Sequence, residues 1–254
     1  MMNESLNTTR QRVSAAEWNV RVQLSAAYRL LAHFGVNDLT YNHLSARVPD
    51  APNQYLVKPT TFMFDEVTAS TLQKFDFDGQ PFQEGPPSRG GAFVIHAGIL
   101  AARPDVNVIF HTHTTANTAV SAQEEGLMML SQHAMAFYKR IAYHRFGGFE
   151  FNLEQREPLL RDLGQYRYAI LRNHGALVCG HSVPQTFVDH HFLEMACRAQ
   201  VAALAGGRPV TTIEPEVCEY AAVQYEGIDP AKSGSKDWAA CIRLLDRISP
   251  GYDE

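Results

Sequence analysis

Residues 106–113 read VNVIFHTH, an apolar, β-branched run that ends in two histidines one residue apart. No other stretch restricts the fold as tightly. β-branched side chains suit a pleated, buried strand better than a helix, and in a strand residues i and i+2 project to one face. His111 and His113 then stand side by side, about 7 Å apart at Cα from the strand rise, with Thr112 on the other face. On a helix the same spacing would send the two rings to opposite sides. The run therefore predicts a buried strand carrying two imidazoles at its end, with a helix starting near Thr115.

The segments around it read as alternating helices and strands. Val20, Leu24, Ala27, Leu31 and Phe34 recur at three- and four-residue steps, which predicts a helix over 13–35 with Ser14 and Glu17 at its start and Gly35 at its end. Residues 39–48 alternate as a strand, Pro49 to Pro52 turn, and 54–59 form a second strand. Two shorter strands are expected around the Asp78-Gly79 turn, then a Pro/Gly loop over 84–91 and a helix from Ala92 to Ala101 that stops before Pro104. Residues 167–180, RYAILRNHGALVCG, read as two strands turning at Asn173-His174-Gly175. Ser182 caps a long helix with Pro184 in its first turn, and 235–248 form a last helix. Without repeats or a glycine-rich nucleotide fingerprint, this order predicts one α/β layered domain over 13–254, its sheet covered by helices on both sides. The polar residues 1–12 are expected to be a disordered lead-in.

Composition narrows the function classes. The net charge of -5 argues against a nucleic-acid partner. No stretch approaches the roughly 20 apolar residues that span a bilayer, and the polar N-terminus does not read as a secretory signal. Cys179, Cys197, Cys218 and Cys241 are widely scattered, which reads as reduced thiols of a cytoplasmic protein rather than a disulfide frame.

A third imidazole is needed to turn the His111/His113 pair into a metal site. His174 is the candidate, because it lies at a turn before a glycine, where a side chain can be aimed. Three neutral imidazoles with open positions make a catalytic type of site. The competing reading is two polar rings on a solvated strand face. His190 and His191 are adjacent on a helix and cannot face one point, and His33, His144 and His181 lie near element ends, where an imidazole is ordinary.

The stretches YNHLSARVP, FDEVTAS, FVIHAGILAARPDV, HTHT, AVSAQEEGL, AYH and ILRNHGALVCG together resemble the class II aldolase/adducin family. The resemblance runs from about Ala15 to Tyr252 and is closer to the adducin-like bacterial branch than to the sugar-phosphate aldolases. It implies a three-layer α/β/α fold with a largely antiparallel central sheet, and a homotetramer with sites near subunit boundaries. It also implies a divalent metal on His111, His113 and His174: zinc first, with manganese or Fe(II) as alternatives. The glutamate that serves as acid/base in the sugar-phosphate aldolases corresponds to Ala92. Their phosphate-binding serines correspond to Gly90 and Gly91, and the phosphate-contacting asparagine to His43. Thr60 and Thr61 complete the substrate-facing set. Arg89 is either a carboxylate clamp or a solvated loop charge.

An alanine at position 92 can neither bind a metal nor move a proton. His96, one helical turn on, is the natural substitute. It would be a fourth ligand, a proton carrier, or a buried ring bonded to a backbone carbonyl. Decarboxylation needs less of a base, and His133 or Tyr138 would supply a proton. Glu66 is a further candidate, with helix-dipole compensation as its alternative role. The leading expectation is a metal-dependent carbon–carbon lyase, an aldolase or decarboxylase, acting on a small hydroxy- or oxo-acid. The alternatives are a non-catalytic, adducin-like assembly module and an Fe(II)-dependent oxygenase.

Overall fold

The structure, a computed structural model, describes residues 9–149, 151–229 and 232–254. Ser14 Oγ accepts the Glu17 N–H at 3.0 Å and starts helix α1 (Ala15–His33). Strands β1 (His43–Val48) and β2 (Ala51–Val57) form a hairpin whose register slips between Arg47 and Val48. β3 (Gln73–Asp76) follows, then a π turn (Phe93–Ala97) that runs into helix α2 (Gly98–Ala102). Strand β4 (Val108–Thr112) leads into helix α3 (Thr115–Ser121), capped by the Thr114 hydroxyl. The remaining elements are α4 (Gln132–Met135), β5 (Ile141–His144), α5 (Arg156–Leu163), β6 (Tyr168–Leu171), β7 (Gly175–Gly180), α6 (Val183–Leu204), α7 (Pro215–Glu226) and α8 (Ser235–Ile248).

Among the described residues seven strands make one sheet in the order β3-β2-β1-β4-β7-β6-β5, and of their pairings only β5–β6 is parallel. Alternation along the strands divides the core in two. Leu44, Ala46, Val108, Phe110, Ala176 and Val178 pack with Leu24 of α1, Phe187 of α6 and Trp238 of α8. Ile109, Ala169, Leu171, Leu177 and Cys179 pack with Ile95 of the π turn, Ile99 of α2 and Leu159 of α5. Helices thus cover both faces of a largely antiparallel sheet, the three-layer arrangement expected from the sequence. His111 shares the parity of Ile109 and lies on the α2/α5 side.

Several expectations are corrected. Residues 39–42 turn instead of extending β1, with Leu39 at φ 47° and the Tyr41 N–H closing on Asp38 O at 2.9 Å. The second strand beside Asp78-Gly79 is a single bridge between Phe75 and Pro81. The expected helix from Ala92 begins as the π turn. Short elements without a clear period, such as β5, and the helices α4, α5 and α7 carried too little local signal to be expected. Of the lead-in 1–12, residues 1–8 lie outside the described residues and 9–12 are helical. All four cysteines are free thiols. No described helix is long and apolar enough to cross a membrane.

Gly175 shows how closely β7 approaches β4. A Cβ there would lie 2.4 Å from Thr112 O and 3.0 Å from His113 Cδ2. Gly175→Ala must therefore push the two strands apart, and is expected to lower stability by about 2 kcal/mol. An unchanged urea midpoint would show that the strands have slack.

Candidate active site

His111 is the penultimate residue of β4, and His113 follows one residue beyond the strand. The β4–β7 register pairs Thr112 with Ala176, so the turn before β7 lies alongside His113. That turn needs one left-handed residue, and Asn173 supplies it at φ 57°, a conformation asparagine tolerates better than most residues. The His174 N–H bonds Leu171 O at 3.0 Å and Ser121 Oγ at 3.2 Å, fixing the backbone from which its ring projects.

The three rings meet at their Nε2 atoms. The separations are 2.8 Å for His111–His113, 2.9 Å for His113–His174 and 3.2 Å for His111–His174. Nitrogens bound to a tetrahedral zinc at ordinary bond lengths stand roughly 3.3 Å apart, close to these values. The other ring nitrogens favour the same reading. His111 Nδ1 lies 3.0 Å from Ala176 O, and His113 Nδ1 lies 3.2 Å from Asp38 Oδ2. A carbonyl and a carboxylate only accept, so each holds an imidazole proton on Nδ1 and leaves Nε2 as a lone pair. Lone pairs turned toward one point repel unless a cation or proton lies among them. Burial, then the neighbouring rings, holds His111 well below the usual imidazole range, which keeps it in the neutral, ligating form. The donor set therefore fits a divalent cation. Asp38→Ala is expected to weaken zinc affinity by roughly 10–100-fold, measurable by competition with a chromophoric chelator; unchanged affinity would remove Asp38 from the site.

Behind the trio lies a second row of polar side chains. His43 pairs with His111 across the β1–β4 ladder, and their rings are 5.0 Å apart. His43 Nδ1 is 2.7 Å from His96 Nε2, and His96 Nδ1 is 2.5 Å from Ser45 Oγ. His96 comes from the π turn and is fully buried. It does not join the three converging nitrogens, and its partners are a hydroxyl and a ring rather than a backbone carbonyl. Burial pushes its pKa down to about 3.

Four contributors escaped the sequence reading: Asp38, Asn42, Ser45 and Lys58. Asn42 Oδ1 accepts the His113 N–H at 2.9 Å, while its Nδ2 is buried without a partner among the described residues. Lys58 follows β2, is 3% exposed, and donates from Nζ to Thr40 O at 2.9 Å. Among the described residues no carboxylate pairs with it, and burial lowers its pKa to about 8. A buried ammonium is costly, and the Glu66 carboxylate offsets only part of that cost; burial first, and then neighbouring positive charge that includes Lys58, holds the His43 ring neutral. The one available signal for Ser45 was its period-two spacing from His43.

The other expected residues fall into two groups. Gly90, Gly91 and Ala92 stand beside the second row, and a Cβ at Gly91 would lie 3.4 Å from His43 Nε2. Arg89, Thr60 and Thr61 are exposed in the adjoining loops. Glu66 is exposed, and its Oε2 accepts the Met63 N–H at 2.7 Å, closing the turn at Phe64–Glu66. His133 packs edge-on against Phe192 of α6 at 5.0 Å, and Tyr138 lies under Lys139 against the α6-side core. Within one subunit the sheet separates these two from His111. An exposed aromatic rim borders the trio: Phe146 is 6.2 Å from the His174 ring, and Phe149 stacks on Phe151 at 5.6 Å.

Residues 22–201 match the model for the Class II Aldolase and Adducin N-terminal domain. A provisionally named aldolase class 2 protein of Caulobacter vibrioides is 40% identical over 242 residues, covering 95% of this chain and 94% of that protein. Alpha-adducin of Rattus norvegicus is 35% identical over 248 residues, which cover 92% of this chain but 33% of the adducin. The crystal structure of an aldolase II superfamily protein from Pseudomonas syringae superposes with a TM-score of 0.92 at 41% identity, covering 97% of this chain and 100% of that one.

Proposed function

The chain belongs to the class II aldolase and adducin family, and from that premise we propose that it is a metal-dependent carbon–carbon lyase acting on a small hydroxy- or oxo-acid. The observation that carries the reading is the meeting of three Nε2 atoms, two of them left as lone pairs by the acceptors behind them, Ala176 O and Asp38. A divalent cation bound there, zinc first and manganese or iron next, would polarise a substrate carbonyl and stabilise an enolate. The chain's own contribution is orientation and charge. His43 Nε2 faces the space beside Gly91, and the buried Lys58 ammonium, held by Thr40 O, adds a positive potential near His43 that suits a carboxylate. Gly90 and Gly91 offer no hydroxyl to a phosphate. Ala92 offers no base, which favours loss of carbon dioxide or cleavage of an already activated substrate over deprotonation by a carboxylate. The aromatic rim of Phe146, Phe149 and Phe151 is suited to burial between subunits, in keeping with a homotetramer whose sites lie near its interfaces.

The test is metal analysis of purified protein, followed by a screen of hydroxy- and oxo-acids for carbonyl products or carbon dioxide. Stoichiometric metal with turnover supports the reading; metal without turnover on any of these acids defeats it. The 35% identity to alpha-adducin over 92% of the chain supports a second reading, a non-catalytic assembly module. In that case His111→Ala would leave both oligomeric state and cellular function intact.

A further inference from the structure

Ser45, His96 and His43 form a continuous row of hydrogen bonds, and the direction of that row can be worked out. Ser45 and His96 are both 0% exposed. Among the described residues the Ser45 hydroxyl has one partner, His96 Nδ1 at 2.5 Å. A hydroxyl always carries a proton, and a buried one needs an acceptor. If His96 Nδ1 carried a hydrogen and donated to Ser45, the Ser45 O–H would be buried with nothing to receive it. Ser45 therefore donates to His96 Nδ1. The neutral His96 ring then carries its proton on Nε2, which donates to His43 Nδ1 at 2.7 Å. That leaves the proton of neutral His43 on Nε2.

His43 Nε2 faces Gly91, where the missing Cβ would have stood 3.4 Å away. Any larger residue at position 91 would narrow the space in front of this nitrogen. We propose that Ser45 and His96 are positioning residues that lock His43 as an Nε2–H donor, aimed at an anionic oxygen of the substrate in the space beside Gly91. The identity of the acceptor rests on the lyase reading above; the direction of the row does not. Burial keeps His96 neutral over the working pH range, so it passes on a hydrogen-bond direction rather than a charge.

The test uses the full-length zinc-loaded protein with 15N-labelled histidine, and long-range 1H–15N spectra that report which ring nitrogen carries the proton. His43 and His96 are both expected to carry it on Nε2. Ser45→Ala should let the His43 proton shift toward Nδ1, and Ser45→Thr, which keeps the hydroxyl, should restore the wild-type signals. Glycolate serves as the acid probe. Its dissociation constant, followed on the His43 signal, is expected to rise about tenfold in Ser45→Ala at unchanged zinc content. A wild-type His43 protonated on Nδ1, or a Ser45→Ala spectrum like the wild type, overturns the lock. An unchanged glycolate constant overturns the donor role toward substrate. The expected protonation pattern without turnover on any acid would support the lock and defeat the lyase reading, so the two failures are distinguishable.

Discussion

Zinc bound by the wild-type chain is expected to survive dialysis at about one ion per subunit, and His174→Ala is expected to lose it. Structural zinc sites of four ligands are worth roughly 10–16 kcal/mol, so one imidazole of the set accounts for about 3–4 kcal/mol, or 10²–10³ in affinity. His174 is the informative position because its backbone is held independently of its ring. Its N–H bonds Leu171 O and Ser121 Oγ, and its carbonyl accepts the Thr118 hydroxyl at 3.2 Å. Truncation at Cβ leaves those contacts in place, so a loss of metal cannot be blamed on an unravelled turn. His181→Ala, at an exposed element end, is the matched control and should keep its metal. Turnover on any acid found active should fall with zinc content. A His174→Ala protein that retains stoichiometric zinc would break the case for the trio.

What was legible in the sequence is what local chemistry specifies. The β-branched run before His111, the Asn173-His174-Gly175 turn and the Ser182 cap each act within a few residues, and each appears where expected. The family resemblance carried the layered fold. What was not legible depends on register and on distance along the chain. Asp38 reaches His113 across 75 positions, and nothing near either residue announces it. Ser45 meets His96 because β1 lies beside β4 and because the π turn replaces the expected α-helical start after Ala92. Lys58 escaped notice because lysines are rarely buried. His133 and Tyr138 were chosen for their chemistry alone, and chemistry does not say on which side of a sheet a side chain will lie. His96 falls between these cases: it was singled out by its spacing from Ala92, but its partners could not be foreseen.

Acid should unfold the metal-free protein steeply, because burial holds His43, His96, His111 and His190 below the usual imidazole range, and the two that lie outside the trio and its cross-strand neighbour, His96 and His190, carry a defined share of the slope. His96 and His190 are 0% and 2% exposed, and burial lowers each to about 3. In the unfolded chain both titrate near 6.5. Between those values the unfolded state binds more protons than the folded one, so stability is fully present above about pH 6.5 and declines as pH falls toward about 3. Each ring contributes about 1.4 kcal/mol per pH unit across the middle of that window, and the pair about 2.7. Two pH units across that window remove about 5 kcal/mol, the whole stability of a fold at the low end of the typical range of roughly 5–15 kcal/mol. The contacts of His190 explain why it resists protonation. Its Nε2 lies 2.8 Å from Thr112 Oγ1, which also accepts from Asn117 Nδ2 at 3.1 Å. Among the described residues Nε2 is the one acceptor within reach of the Thr112 hydroxyl, which therefore donates to it, and the ring's own proton occupies Nδ1, which is buried without a partner among those residues. Protonating the ring would bury a charge and deprive the Thr112 O–H of its acceptor. Urea titrations in chelator at pH 7, 6 and 5 measure the slope, and His190→Gln should reduce it by about 1 kcal/mol per pH unit over that range. Equal slopes for the variant and the wild type would mean that His190 takes up its proton in the folded state as readily as in the unfolded chain.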